Sequence, residues 1–264
     1  MLNRPFEFAW KPLRAIWHKA LGANDKTAEA PSPSAQVSAT PHRKPTIEYR
    51  ADIDGLRAIA VLLVLIFHGG LTLFPSGYIG VDIFFVISGY LTTSIIMKSL
   101  DNGTFSFSGF YTRRIWRLQP AIIALLIATL IITTLLYLPD DYVDFLKSGK
   151  YTSLLLSNQY FSNATTGYAT PDAATLPLLH TWSLAIEWQW YLVLPLGIWL
   201  LNRYVAKKAF KVTVLGLTVA AMALALYWSH TLADKNYYLF TARIFELMIG
   251  SCAVIFSTDK FRLN

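Results

Sequence analysis

A lone cysteine, Cys252, is all the thiol this chain of 264 residues contains, so an internal disulfide framework is excluded. Cys252 stands within an apolar run, where a thiol serves packing better than chemistry. Charge is equally scarce, at 15% of residues against 54% hydrophobic, and several apolar runs reach the length of about 20 residues that crosses a bilayer as a helix. The composition is that of an integral membrane protein. The first 22 residues lack the uninterrupted apolar core of a signal peptide, so cleavage and export are not expected. No internal repeat is evident, no metal site is read, and the loops carry no recognisable sugar-binding motif.

What is present divides into three parts. Residues 1–22 place Phe6, Trp10, Leu13, Trp17 and Leu21 at helical spacing, with Arg4, Lys11, Arg14 and Lys19 largely opposite. That pattern predicts an amphipathic helix on the membrane surface, and a partner-binding helix is the competing reading. Residues 23–47, rich in Ala, Ser, Thr and Pro, read as a flexible linker. The remainder, 48–264, is all-α, with spanning helices expected near 55–74, 79–97, 119–138, 180–201, 212–229 and 238–256. Between the third and fourth, "YTSLLLSNQYF" has the length and polarity of a short interfacial or re-entrant helix.

The net charge of +7 is explained by topology before it is explained by a partner. With a cytoplasmic N-terminus and six spans, nineteen of the 23 basic residues fall on the inner side. Only Lys147, Lys150, Lys235 and Arg243 fall outside, so the positive-inside rule favours that orientation and a nucleic-acid partner is not expected.

Several polar residues interrupt the apolar runs. From Arg57 to His68 a straight helix rotates about 1,100°, three turns plus roughly 20°, and rises about 16 Å, so both face one way. Arg57 is expected at the cytoplasmic edge and His68 near mid-membrane, on one stripe. Glu187 lies seven residues inside the fourth span, in "HTWSLAIEWQWYLVLPL", and an unpaired carboxylate there needs a partner, a proton or water. Counted from His180 it is about 10 Å below the outer edge of a roughly 30 Å core, nearly the depth of His68. Two readings stand: a structural hydrogen bond, or an acid/base pair. Asp82 and Asp54 each read as a helix cap, with acceptor binding or support of the site as the other reading of Asp82. Ser88 and Tyr90 lie deeper in the second span beside Gly89, which permits close helix packing. Arg113, Arg114 and Arg117 precede the third span, with Pro120 expected near its first turn. Arg114 and Arg117 share a face if that helix starts early, offering a site for a phosphate-rich ligand or for anionic headgroups.

Four stretches, "YRADIDGLRAIAVLLVLIFHGG", "FPSGYIGVDIFFVISGYLTTSII", "FSFSGFYTRRIWRLQPA" and "LPLLHTWSLAIEWQWYLVLP", resemble the acyltransferase-3 family of bacterial membrane O-acyltransferases. The resemblance runs over about residues 48–200 and weakens beyond. It implies that His68 is the central catalytic residue and matches Glu187 to the first acid of the family's stretch; the chemistry then reads as His68 acting as base with Glu187 supporting it. It implies too that Arg57, Arg113, Arg114 and Arg117 bind the phosphates of a cytoplasmic acyl-coenzyme A, the donor substrate rather than a bound cofactor. The acceptor implied is a hydroxyl of a cell-envelope glycan or lipid. Asp54, Asp82, Ser88, Tyr90, Trp182 and Tyr191 fall within the matching stretches as structural or acceptor-side candidates. Trp188 stands where the family commonly has a second acid, against any mechanism that needs two acids there. The setting implied is the bacterial cytoplasmic membrane, crossed several times. Direct transfer and an acyl-histidine both stay open, as does the rival reading of a transporter or flippase of an acyl donor or glycan lipid. Family domains usually carry more spanning helices, often followed by a soluble SGNH-hydrolase-like domain, so the chain is expected to correspond to the N-terminal part of such a domain, cut short at its C-terminus or serving as an inactive interaction fragment.

Overall fold

The computed structural model describes residues 50–70, 75–164, 176–231 and 236–257. The surface helix expected over 1–22, the linker over 23–47 and the end of the first expected span at 71–74 lie outside the described residues. Eight helices make up the described residues, with no strand among them: α1 (Ala51–His68), α2 (Ile79–Asp101), α3 (Phe107–Leu136), α4 (Pro139–Ser153), α5 (Ser157–Ala164), α6 (Thr181–Tyr204), α7 (Lys207–Thr231) and α8 (Phe240–Ser257).

Five of these, α2, α3, α6, α7 and α8, are long and apolar enough to cross a membrane. A sixth span was expected. α1 differs because Asp52, Asp54 and Arg57 fall within its 18 residues, and because the turn at Gly69 and Gly70 follows His68 directly. Gly70 sits at φ 68°, the left-handed conformation that ends helices and that glycine adopts without a Cβ clash. Asp54 therefore stands inside the first turn rather than capping it: the helix begins at Ala51, and acids in a first turn complement its dipole. α3 starts twelve residues before the span expected from 119, because the Ser106 hydroxyl accepts from the Gly109 N–H at 3.3 Å and caps it. Pro120 consequently lies mid-helix instead of in the first turn, and the three arginines ride on α3 itself. Its far half is bare, with Leu135 and Leu136 78% and 74% exposed, as suits a face turned to lipid.

α2 is the hub, packed against α1, α6 and α8. It meets α8 where Gly89 and Gly250 face each other's backbones. A Cβ at Gly89 would come within 1.9 Å of the Leu247 carbonyl oxygen, and one at Gly250 within 2.0 Å of that of Val86. Small residues let apolar helices touch backbone to backbone, and Thr93 adds a hydrogen bond to Ser251 at 2.8 Å across the same seam. Gly89→Ala forces the helices apart, and an expected loss of about 1–3 kcal/mol should register as a lowered unfolding midpoint in detergent. An unchanged midpoint would show that the crossing relaxes freely.

The polar segment after α3 folds onto the bundle as α4 and α5. Asn158 of α5 is wholly buried, accepts from the Gln189 amide at 2.8 Å and donates to the Tyr238 carbonyl at 3.2 Å. Thr152 of α4 meets Thr181 at 3.2 Å. α5 is thus held two turns along α6 by a satisfied buried amide rather than lying loose over the bundle.

Candidate active site

A cavity of about 390 Å³ opens between α1, α2, α3 and α6, and five polar residues bring the chemistry to it. Arg57 comes from α1, Ser88 from α2 and Arg117 from α3, while Glu187 comes from α6 and His180 from the residue that precedes α6. Trp182 forms an apolar wall, itself backed by the Tyr237 and Tyr238 rings at 4.9 and 5.4 Å.

Glu187 accepts hydrogen bonds from the hydroxyls of Ser88 and Tyr191, both on the same carboxylate oxygen. Two O–H donors are what a carboxylate in an apolar helix bundle requires, so the charge is held by α2 and by its own helix, one turn on. Behind Tyr191 lies Arg114, which is buried, with its guanidinium 4.7 Å from that ring and 5.4 Å from Phe110. α3 starts early enough to carry both Arg114 and Arg117, yet the two do not form the shared site expected of them. The 60° between residues three apart is enough to bury one against aromatics and leave the other on the cavity. Arg113 is exposed and folds back along α3 toward Gly109.

His68 is the last residue of α1. Its ring lies edge-on to that of His180, with centroids 4.6 Å apart and planes at 84°. This differs from the depth expected of it: α1 ends at His68 instead of running on, which sets that ring beside the start of α6, seven residues and about 10 Å along the helix from Glu187. His68 Nδ1 lies 2.8 Å from the Val64 carbonyl oxygen. A carbonyl only accepts, so Nδ1 is the donor in this contact.

His180 is the residue that sequence reasoning passed over, reading it only as the start of a span. Loss of hydration, and after it the proximity of His68, holds its pKa below the usual imidazole range. His180 therefore stays neutral to lower pH than an ordinary histidine. In a His68→Gln variant the second cause is gone, and the His180 midpoint should rise partway toward the ordinary value when followed by NMR of isotope-labelled histidine. A midpoint that stays in place would show that the two rings do not interact.

The other sequence-predicted residues go elsewhere. Asp54 makes an exposed contact of 3.7 Å with Arg57, worth little in solvent. Tyr90 accepts from the Arg50 guanidinium at 3.2 Å, at the start of α1. Asp82 lies in the first turn of α2 and pairs with Arg243 of α8 at 3.1 Å. Arg243 also pairs with Glu246 at 2.8 Å, donates to the Tyr237 carbonyl at 3.1 Å and lies 4.3 Å from the Tyr237 ring. Sequence reasoning counted Arg243 only as an outside charge, although an arginine three residues before a glutamate in "FTARIFELMIG" is a legible helical pair. Among the described residues no group of three or more metal-ligating side chains converges.

A family model described as an acyltransferase domain matches residues 50–257. A Bacillus subtilis protein, provisionally named a peptidoglycan O-acetyltransferase, is 35% identical over 229 residues, 84% of this chain and 36% of that protein. The peptidoglycan O-acetyltransferase of Listeria monocytogenes is 33% identical over 221 residues, 82% of this chain and 35% of its own. An uncharacterized Haemophilus influenzae protein is 36% identical over 191 residues, covering 69% of this chain and 78% of that one. The chain spans about a third of the length of the first two relatives. No solved structure matches it significantly.

Proposed function

The chain belongs to the acyltransferase-3 family, and from that premise we propose that it is a multi-pass O-acetyltransferase of the bacterial cytoplasmic membrane. It moves an acetyl group from acyl-coenzyme A, presented from the cytoplasm, to a hydroxyl of a cell-envelope glycan. The observation that carries this reading is the convergence of Arg57, Arg117, Glu187 and His180 on one cavity, with the His68 ring set against His180. Arg57 and Arg117 hold the donor's phosphates, for which a guanidinium's fork of N–H donors is suited.

In the reaction, His68 Nε2 takes the proton of the acceptor hydroxyl as that oxygen attacks the thioester carbonyl carbon. The tetrahedral intermediate collapses with cleavage of the carbon–sulfur bond. The coenzyme A thiolate departs and takes the proton back from the imidazolium. A neutral His180 matters here, because a second cation beside His68 would oppose the charge forming on it. The Glu187 carboxylate, fixed by Ser88 and Tyr191, supplies the opposite charge within the same site.

Mass spectrometry of envelope glycans from cells with and without the gene tests the proposal. The expected result is loss of an acetyl-bearing glycan species whose ester is removed by mild alkali in the parent. Equal acetylation in both strains would sink it, and an unmodified glycan accumulating on one side of the membrane would instead indicate transport.

A further inference from the structure

A second cavity, of about 410 Å³, is unrelated to the first. It runs as a groove between α6, α7 and α8, and its wall is almost wholly apolar, from Leu201 and Phe210 at one end to Leu224 at the other. From Phe210 to Leu224 the helix rises about 21 Å, so the groove is longer than one leaflet of a roughly 30 Å hydrocarbon core. A Cβ built at Gly197, which lines the groove, meets nothing within 4 Å, so the space is open at that wall.

The Leu201–Phe210 end is marked by charge. Arg203, Lys207, Lys208 and Lys211 fall within nine positions around the turn from α6 to α7, and no acidic residue occurs between Trp188 and Thr231. Lys211 Nζ lies 5.8 Å from the Phe256 ring, next to Ile255 of the groove wall. Arg203, Lys207 and Lys208 are exposed.

We propose that this groove is a binding site for one anionic phospholipid, with an acyl chain lying between α6 and α7 and the phosphate held by Arg203, Lys207 and Lys208. A basic cluster at the membrane surface selects the headgroup, and the apolar slot above it takes the tail. The lipid would brace α7 against α6, two helices that touch each other little.

Native mass spectrometry of the full chain in detergent, titrated with phosphatidylglycerol or with phosphatidylcholine of the same tails, tests this. One phosphatidylglycerol should be retained about tenfold better than phosphatidylcholine, and excess inorganic phosphate should not displace it. Replacing Arg203, Lys207 and Lys208 together with Gln should erase the preference while leaving weak retention of both lipids. Gly197→Trp projects an indole from a position whose Cβ meets nothing within 4 Å and should remove retention of both, with an unchanged gel-filtration profile marking an intact fold. Equal retention of the two lipids by the parent chain, displacement by phosphate, or unaltered retention in Gly197→Trp would each overturn the proposal. So would a dimer in the parent that Gly197→Trp dissolves, since a second copy would then be what fills the groove.

Discussion

Replacing His68 with alanine is expected to lower acetyl transfer by about a hundred- to ten-thousandfold, the usual contribution of a positioned general base. The chain should still insert in the membrane and elute normally in detergent, because the removed ring is an exposed one at the end of α1 and leaves no cavity in the core. The loss should fall on kcat rather than on KM for the donor, since the groups assigned to the donor's phosphates are Arg57 and Arg117. His68→Gln should be nearly as inactive, because an amide keeps a polar contact but offers no basic nitrogen. Radiolabelled acetyl transfer in membrane vesicles measures both variants. Parental rates in either would remove His68 from the reaction and leave His180, the neighbouring imidazole, as the base to test next.

The spanning helices were legible because a helix satisfies its own backbone, so in lipid an apolar run of sufficient length has few alternatives. The expected second, fourth, fifth and sixth spans lie within a few residues of α2, α6, α7 and α8. Helix ends were less legible where polar chemistry sets them. The Ser106 cap starts α3 well before its apolar stretch, and the turn at Gly69 and Gly70 stops α1 within one. At the site, helical spacing could relate residues on one helix, as it did Arg57 to His68 and Arg114 to Arg117. It could not tell which groups meet across helices. Ser88 reaches Glu187 from 99 positions away, and Asp82 meets Arg243 from 161. The second pair lies on the seam where Gly89 and Gly250 bring α2 and α8 backbone to backbone, and the first where α2 meets α6, so each is a feature of how two helices cross rather than of either helix alone.

Arg243→Ala follows from that crossing and is expected to cost about 3–5 kcal/mol, the penalty of breaking a buried ion pair from one side. One guanidinium nitrogen, Nη1, serves both Asp82 and Glu246, and only 15% of the arginine side chain is exposed. Without it two carboxylates face each other's charge inside the bundle, and Glu246 has an oxygen, Oε2, that is already buried with no hydrogen-bond partner. The loss comes from the orphaned acids rather than from any net strength of the triad, and this dictates the control. Combining Arg243→Leu with Asp82→Asn and Glu246→Gln removes every charge at once and should recover much of the loss, whereas Arg243→Leu alone should not. Unfolding midpoints in detergent distinguish the two cases, and a single variant as stable as the parent would show that water reaches the acids. The guanidinium also lies 6.0 Å from the ring of Trp182, which lines the cavity of the candidate site. A destabilised Arg243 variant should therefore lose acetyl transfer as well, through a displaced wall, and the triple variant should restore activity in step with its restored stability.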